Sequence, residues 1–212
     1  MSRPARQRRS ERTRWALLDA ARELFAERGF VGASLEDIAE RASVTRGPLY
    51  HYFDDKEDLF RAVYEEVERY LAENVLIGIR SRVTSGSGAW DQVKACNDAF
   101  LDAVLDPAIQ RIALIEAASV LGWNARKDFA RYGRGLIREG LQRAIDEGVL
   151  DRQPVEPLTH LFHALLTEGA IFIAQAEDRA AARAEIGAAI DRLVNGLRGP
   201  KGSSVKSRKT SS

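Results

Sequence analysis

The chain has 212 residues, of which 45% are hydrophobic and 30% charged, with a formal net charge of +1 and a single cysteine. That length and balance suit a soluble globular protein with a proper core, built as one large domain or two small ones. No apolar run approaches the roughly 20 residues that span a bilayer, and the most apolar late stretch, 161–176, is broken by His163, Thr167, Glu168 and Gln175.

The charge is unevenly placed. Residues 1–14 carry +5 and residues 198–212 another +5, leaving a body of −9 between them. Any polyanion is therefore met by the ends, although both ends could equally be solubilising tails. Arg3, Arg6, Arg8 and Arg9 are followed by an amphipathic helix and not by the apolar core of a secretory leader. Together with the lone Cys96, which excludes an intrachain disulfide, this points to a cytoplasmic protein.

In chain order, helical periodicity dominates and nothing reads as a strand, so the expected fold class is all-α. After a basic flexible arm over 1–9, the spacing of Leu17, Ala21, Leu24 and Phe25 predicts a helix over about 10–28, closed by Gly29 as a left-handed cap. Ser34 suits the N-cap of a short second helix to about Ala42, with Asp37 in a capping-box position. Thr45 caps a third helix through Tyr50, and Asp54 or Asp55 caps a fourth over 55–79, with Leu59, Phe60, Val63, Val67, Tyr70 and Leu71 as its stripe. A Ser/Gly/Thr loop follows over 81–89. Further helices are predicted at about 90–105, 107–121, 127–147, 157–176 and 180–197, and a disordered basic tail from 199 to 212.

The informative segment is 34–56, SLEDIAERASVTRGPLYHYFDDK. Two short helices flank a tight turn at Ala42, Ser43 and Val44, the spacing of a helix-turn-helix. Ala39 permits a close crossing, while Val44 and Leu49 fasten the third helix inward. Thr45, Arg46, Gly47, Pro48, Tyr50 and His51 are left at the ends or on the outer side, with no acid among them, as a major groove requires. Two alternatives stand beside this reading: Tyr50 as a core residue and His51 as an inert surface one.

This segment resembles the DNA-binding domain of the TetR/AcrR family of bacterial regulators. The resemblance rests on Ser34-Leu35-Glu36-Asp37-Ile38-Ala39, on residues 44–53 (VTRGPLYHYF) and on Lys56-Glu57-Asp58-Leu59-Phe60, with Ala20, Leu24, Phe25, Gly29 and Phe30 upstream. It covers about residues 10–60. Ser43 departs from the family's frequent turn glycine, at a cost of about 1 kcal/mol or less.

The resemblance implies a helix-turn-helix domain over 10–54 and a helical ligand-binding and dimerisation domain over 55–198, entered by the connecting helix 55–79. It implies a repressor, not an enzyme, that binds double-stranded operator DNA through Ser34, Thr45, Arg46, Gly47, Pro48, Tyr50, His51 and Lys56. Arg46 would read base edges; Thr45, Tyr50, His51, Lys56 and Ser34 would meet phosphates. The arm Arg3 to Arg9 is a candidate clamp on the DNA.

The resemblance further implies a homodimer through the last two helices and a small-molecule effector. The small residues Ala181, Ala182, Ala184, Gly187, Ala188 and Ala189 fit close helix packing, between subunits or within one. Candidate pocket residues are Trp90, Asn97, Phe100, Glu116, Trp123, Phe129, Tyr132, His163 and Glu168, aromatic or polar groups on apolar helices. His160 and His163 are three apart with Glu168 beyond, but no close third ligand completes a metal set, and no cofactor is expected. No phosphate loop, nucleophile elbow or metalloprotease spacing is present to suggest catalysis.

Overall fold

The computed structural model describes residues 5–122 and 131–198. Helix α1 (Ala5–Gly32) begins before the predicted start. Residues 5–9 are its first turns and not a flexible arm, because Ala, Arg and Gln are strong helix formers with no breaker among them. Its buried stripe, Leu17, Leu18, Ala21, Leu24 and Phe25, faces the core. At Gly29 the helix breaks with φ 75° and ψ 174°, an extended mirror-image conformation in place of the expected left-handed cap, and one open to glycine alone.

Helix α2 (Leu35–Arg41) is capped by Ser34, whose Oγ accepts from the Asp37 N–H at 3.1 Å. The other half of the expected capping box does not form; the Asp37 carboxylate takes the Arg28 guanidinium at 3.4 Å. The turn holds Ser43 at φ 56°, and the Val44 N–H donates to the Ala39 carbonyl at 3.0 Å. Helix α3 (Arg46–Tyr52) crosses α2 where Ala39 and Leu49 are both buried. Helix α4 (Lys56–Arg82) starts at Asp55, whose carboxylate accepts from the Asp58 N–H at 2.8 Å. The rings of Phe25, Phe30 and Phe60 meet at centroid distances of 5.1 to 6.1 Å and join α4 to α1. Tyr70 does not belong to the buried stripe of α4; it is exposed beneath the Arg22 guanidinium, 5.5 Å from the ring centroid.

Helix α5 (Ala89–Ala103) lies along α4, so close that a Cβ on Gly78 would stand 2.6 Å from the Ala99 Cβ. Helix α6 is a π-helical stretch, Ile109–Glu116, that continues as α-helix over Ala117–Val120. It touches α1, α4 and the later helix α8 (Val155–Gln175), and so lies beneath the first helices. Helix α7 (Arg131–Asp146) packs on α5 and α8, and α9 (Arg179–Gly196) on α8 and α5. Arg183 of α9 secures that last contact, holding Asp102 at 2.7 Å and Asp98 at 3.0 Å. Among the described residues there is no strand, only one isolated bridge between Leu150 and Arg198.

Helix α8 has the length and mean hydropathy (1.2) of a membrane span, yet Leu158, Phe162, Leu166, Ala170 and Ile173 are buried against the other helices. It is not covered on all sides: Leu161 is 65% and Phe172 54% exposed.

Candidate functional site

The turn and α3 form a projecting tip. Thr45, Arg46, Gly47, Tyr50 and His51 are exposed and Pro48 is half-buried, while Leu49 between them is buried. The core alternative for Tyr50 thus fails, since its ring is 54% exposed. Thr45 occupies the cap position without making a side-chain capping bond, which keeps its hydroxyl for an outside partner. The tip is acid-free along α3 itself, but Glu36 of α2 reaches Arg46 at 3.2 Å. Both side chains are largely exposed, so the pair is weak and easily exchanged for a phosphate or a base.

Two expected phosphate ligands have local duties as well. Ser34 is half-buried at its cap, and Lys56 places its ammonium 4.5 Å from the Phe30 ring centroid. A residue not singled out in the sequence, Tyr52, orients the tip. Its hydroxyl donates to the Ser10 carbonyl at 3.0 Å and lies 2.7 Å from the Ser10 Oγ, tying α3 to α1. Beside the tip, Arg9, Ser10 and Thr13 of α1 line a shallow depression with Thr45, Gly47, Pro48 and His51. Arg8, Arg9 and Arg12 border the neighbouring one with Ala42 and Val44. Arg8, Arg9 and Arg12 in the first turns of α1 therefore place positive charge next to α3.

Two cavities lie among α4, α5, α7 and α8. The inner one, a narrow cavity of about 30 Å³, is lined by Leu71, Val75, Phe100 and Leu166, with Glu68 and His163 as its buried polar residues. The outer one, about 140 Å³, is lined by Leu76, Ile79, Val93, Asn97, Glu139 and Arg143. Cys96, Leu136 and Ile137 border both. Burial in this apolar setting pushes the Cys96 thiol up to about 11.

Of the expected pocket residues, Phe100, His163 and Asn97 stand at these cavities. Trp90 does not: it is buried where its indole N–H donates to the Asn195 side-chain oxygen at 3.3 Å, joining α5 to α9. Glu168 is exposed and borders neither cavity, because it lies on the solvent side of α8, opposite the buried Leu166 and Ala170. Trp123, Phe129 and the side chain of Tyr132 lie outside the described residues. Glu68, Cys96 and Thr167 were missed; a carboxylate or thiol at a buried helical position was the available signal. Among the described residues no three His, Cys, Asp or Glu side chains converge, and His160 is exposed whereas His163 is buried.

Glu116 is also absent from the cavities. Its carboxylate accepts from the Phe30 N–H at 2.7 Å and from the Arg111 Nε–H at 3.3 Å. The last turn of the π-helical stretch is thereby joined to the break in α1.

A family profile described as "Tetracyclin repressor-like, C-terminal domain" matches residues 90–197, and one described as "Bacterial regulatory proteins, tetR family" matches residues 17–63. The chain belongs to the TetR family. A crystal structure of a TetR-family transcriptional regulator from Pectobacterium atrosepticum superposes with a TM-score of 0.76 at 32% identity, covering 93% of this chain and 99% of that one. The Transposon Tn10 TetC protein of Escherichia coli is 26% identical over 70% of this chain and 73% of its own length. The HTH-type transcriptional repressor AcnR of Corynebacterium glutamicum is 29% identical over 75% and 80%. This TetR-family protein is a DNA-binding transcriptional regulator with an N-terminal helix-turn-helix and a C-terminal helical domain, and the family's members are regulators, not enzymes.

Proposed function

We propose that this TetR-family regulator is a cytoplasmic homodimeric repressor that leaves its operator when a small organic molecule enters the cavities among α4, α5, α7 and α8. The observation that carries this reading is the bond between Glu116 on α6 and the Phe30 amide on α1. It gives a cavity-bearing helical body a direct hold on the helix that positions the recognition tip. In this reading residues 10–54 bind DNA and 55–198 sense and dimerise. A ligand that favours the non-binding arrangement by about 1–3 kcal/mol of coupling suffices for control.

Arg46 is the base-reading side chain; Thr45, Tyr50, His51, Lys56 and Ser34 meet phosphates, and Gly47 and Pro48 keep the approach low. A palindromic operator needs two such tips about one DNA turn apart. The second subunit is supplied by pairing of α8 and α9. Leu161 and Phe172 leave an uncovered apolar stripe on α8, and Leu193, with Leu197 just past the helix end, leaves one on α9. Repression is supported by the name of AcnR, a repressor.

The test is retention of genomic fragments in a gel-shift titration at rising salt. Specific retention that weakens steeply with salt supports the reading; retention indifferent to sequence, or none, overturns it.

A further inference from the structure

Asn97 is 4% exposed, borders the outer cavity, and its side-chain Nδ2 has no hydrogen-bond partner. A buried donor left unpaired is costly, so a helical bundle that keeps one beside a cavity is built to offer it. Of the other polar groups nearby, Arg143, Glu68 and His163 are already engaged. Arg143 donates to the Gln92 side-chain oxygen at 2.7 Å and stands 3.7 Å from Glu147, with Glu139 on the same rim. Glu68 and His163 of the inner cavity also have partners. Glu139 is an exposed carboxylate at the solvent edge of that rim, whereas the buried neutral donor inside awaits an acceptor. Around it the walls are apolar: Leu76, Ile79 and Val93, then Cys96, Leu136 and Ile137, which lead on to Leu71, Val75, Phe100 and Leu166.

We infer that the effector is an uncharged apolar molecule bearing a carbonyl-type acceptor, such as a ketone, ester, lactone or amide, whose oxygen takes the Asn97 amide hydrogen. Its apolar body lies along the Cys96, Leu136 and Ile137 wall toward the inner cavity. This rests on the proposal that these cavities hold the effector.

The test uses three probes of equal chain length, 2-octanone, octanoate and octylamine, titrated into the full chain by calorimetry. Two variants accompany the wild type. Asn97→Leu removes the donor while keeping the bulk, and Leu76→Trp fills the outer cavity from a position that is 37% exposed and tolerant of a larger side chain. The ketone is expected to bind tightest, Asn97→Leu to weaken it by about five- to tenfold, the worth of one buried hydrogen bond, and Leu76→Trp to weaken it by occupying the space it needs. Asn97→Leu is expected to leave octylamine binding unchanged and thermal stability equal or higher. Tighter binding of octylamine or octanoate, equal ketone affinity in all three proteins, or no binding of any probe overturns the inference. Gel shifts on the same preparations keep the two readings apart: intact specific DNA retention beside any of these failures sinks the ligand class and spares the regulator.

Discussion

The Glu116 carboxylate and the Phe30 backbone amide, 86 positions apart in sequence, meet at 2.7 Å. The contact is possible because residue 29 has no side chain. A Cβ on Gly29 would overlap the Glu116 carboxylate and strike Arg111, and its φ of 75° is unfavourable to any other residue. The partly buried amide gains a charged acceptor, worth about 1.5–3 kcal/mol when the geometry is good.

Removal of that acceptor gives the first prediction. Glu116→Ala is expected to lower unfolding stability by about 1–3 kcal/mol, whereas Glu116→Gln, which keeps an oxygen facing the amide, should lose less than half of that. Urea denaturation checks both. An alanine variant as stable as wild type would show that the contact carries no energy.

Arg46 and Lys56 should fail in different ways. Arg46→Ala is expected to cost about 1–3 kcal/mol on the operator and little on random DNA, because it removes the proposed base contact. Lys56→Ala should weaken both targets alike and reduce the logarithmic salt slope by about 1. Binding isotherms at several salt concentrations separate the two patterns. Equal losses on both targets for Arg46→Ala would reassign it to the phosphate backbone.

The raised Cys96 pKa makes stability fall in alkali. The folded protein keeps the thiol neutral up to about 11, while in the unfolded chain it releases its proton near 9.0. The native state therefore binds more protons in that window, and stability declines as pH rises through it, by up to about 1.4 kcal/mol per pH unit. Cys96→Ala should remove this component of the slope. Chemical denaturation between pH 8 and 11 is the measurement, and an unchanged slope in the variant contradicts it.

Much of the tip was legible because its determinants are local. Ser34 and Thr45 stand at caps, Ser43 takes the positive φ the turn demands, and Leu49 faces inward, all within one short stretch. What the sequence hid lies in long-range pairings. Tyr52 finds Ser10 across 42 positions, and Glu116 finds Phe30 across 86, so periodicity placed Glu116 beside a ligand. Trp90 misled for a similar reason: an aromatic in an apolar helix is equally suited to a cavity or to its actual tie with Asn195. The π-helical geometry of α6 has no compositional signature and could not be foreseen.

Gln110, within that π-helical stretch, is 2% exposed with both side-chain polar atoms unpartnered. Gln110→Met, similar in volume and without hydrogen-bonding demands, is expected to raise stability by about 1–3 kcal/mol. A fall in the urea midpoint would mean that the amide serves a partner the protein needs.

On α9, Leu193 is 60% exposed within the apolar stripe proposed to pair two subunits. Leu193→Glu is expected to convert a dimer to a monomer in analytical ultracentrifugation without altering the monomer's helical content. Persistence of the dimer would move the interface elsewhere.

The hold of Glu116 on α1 is made to a main-chain N–H, not to a side chain. Every amino acid except proline carries that group, so exchanging Phe30 for another aliphatic or aromatic residue would leave the wiring between the two halves intact even as it altered the packing against Phe25 and Phe60. The link can be cut only by losing the carboxylate at one end or the hydrogen at the other, which makes it tolerant of variation in the segment it joins.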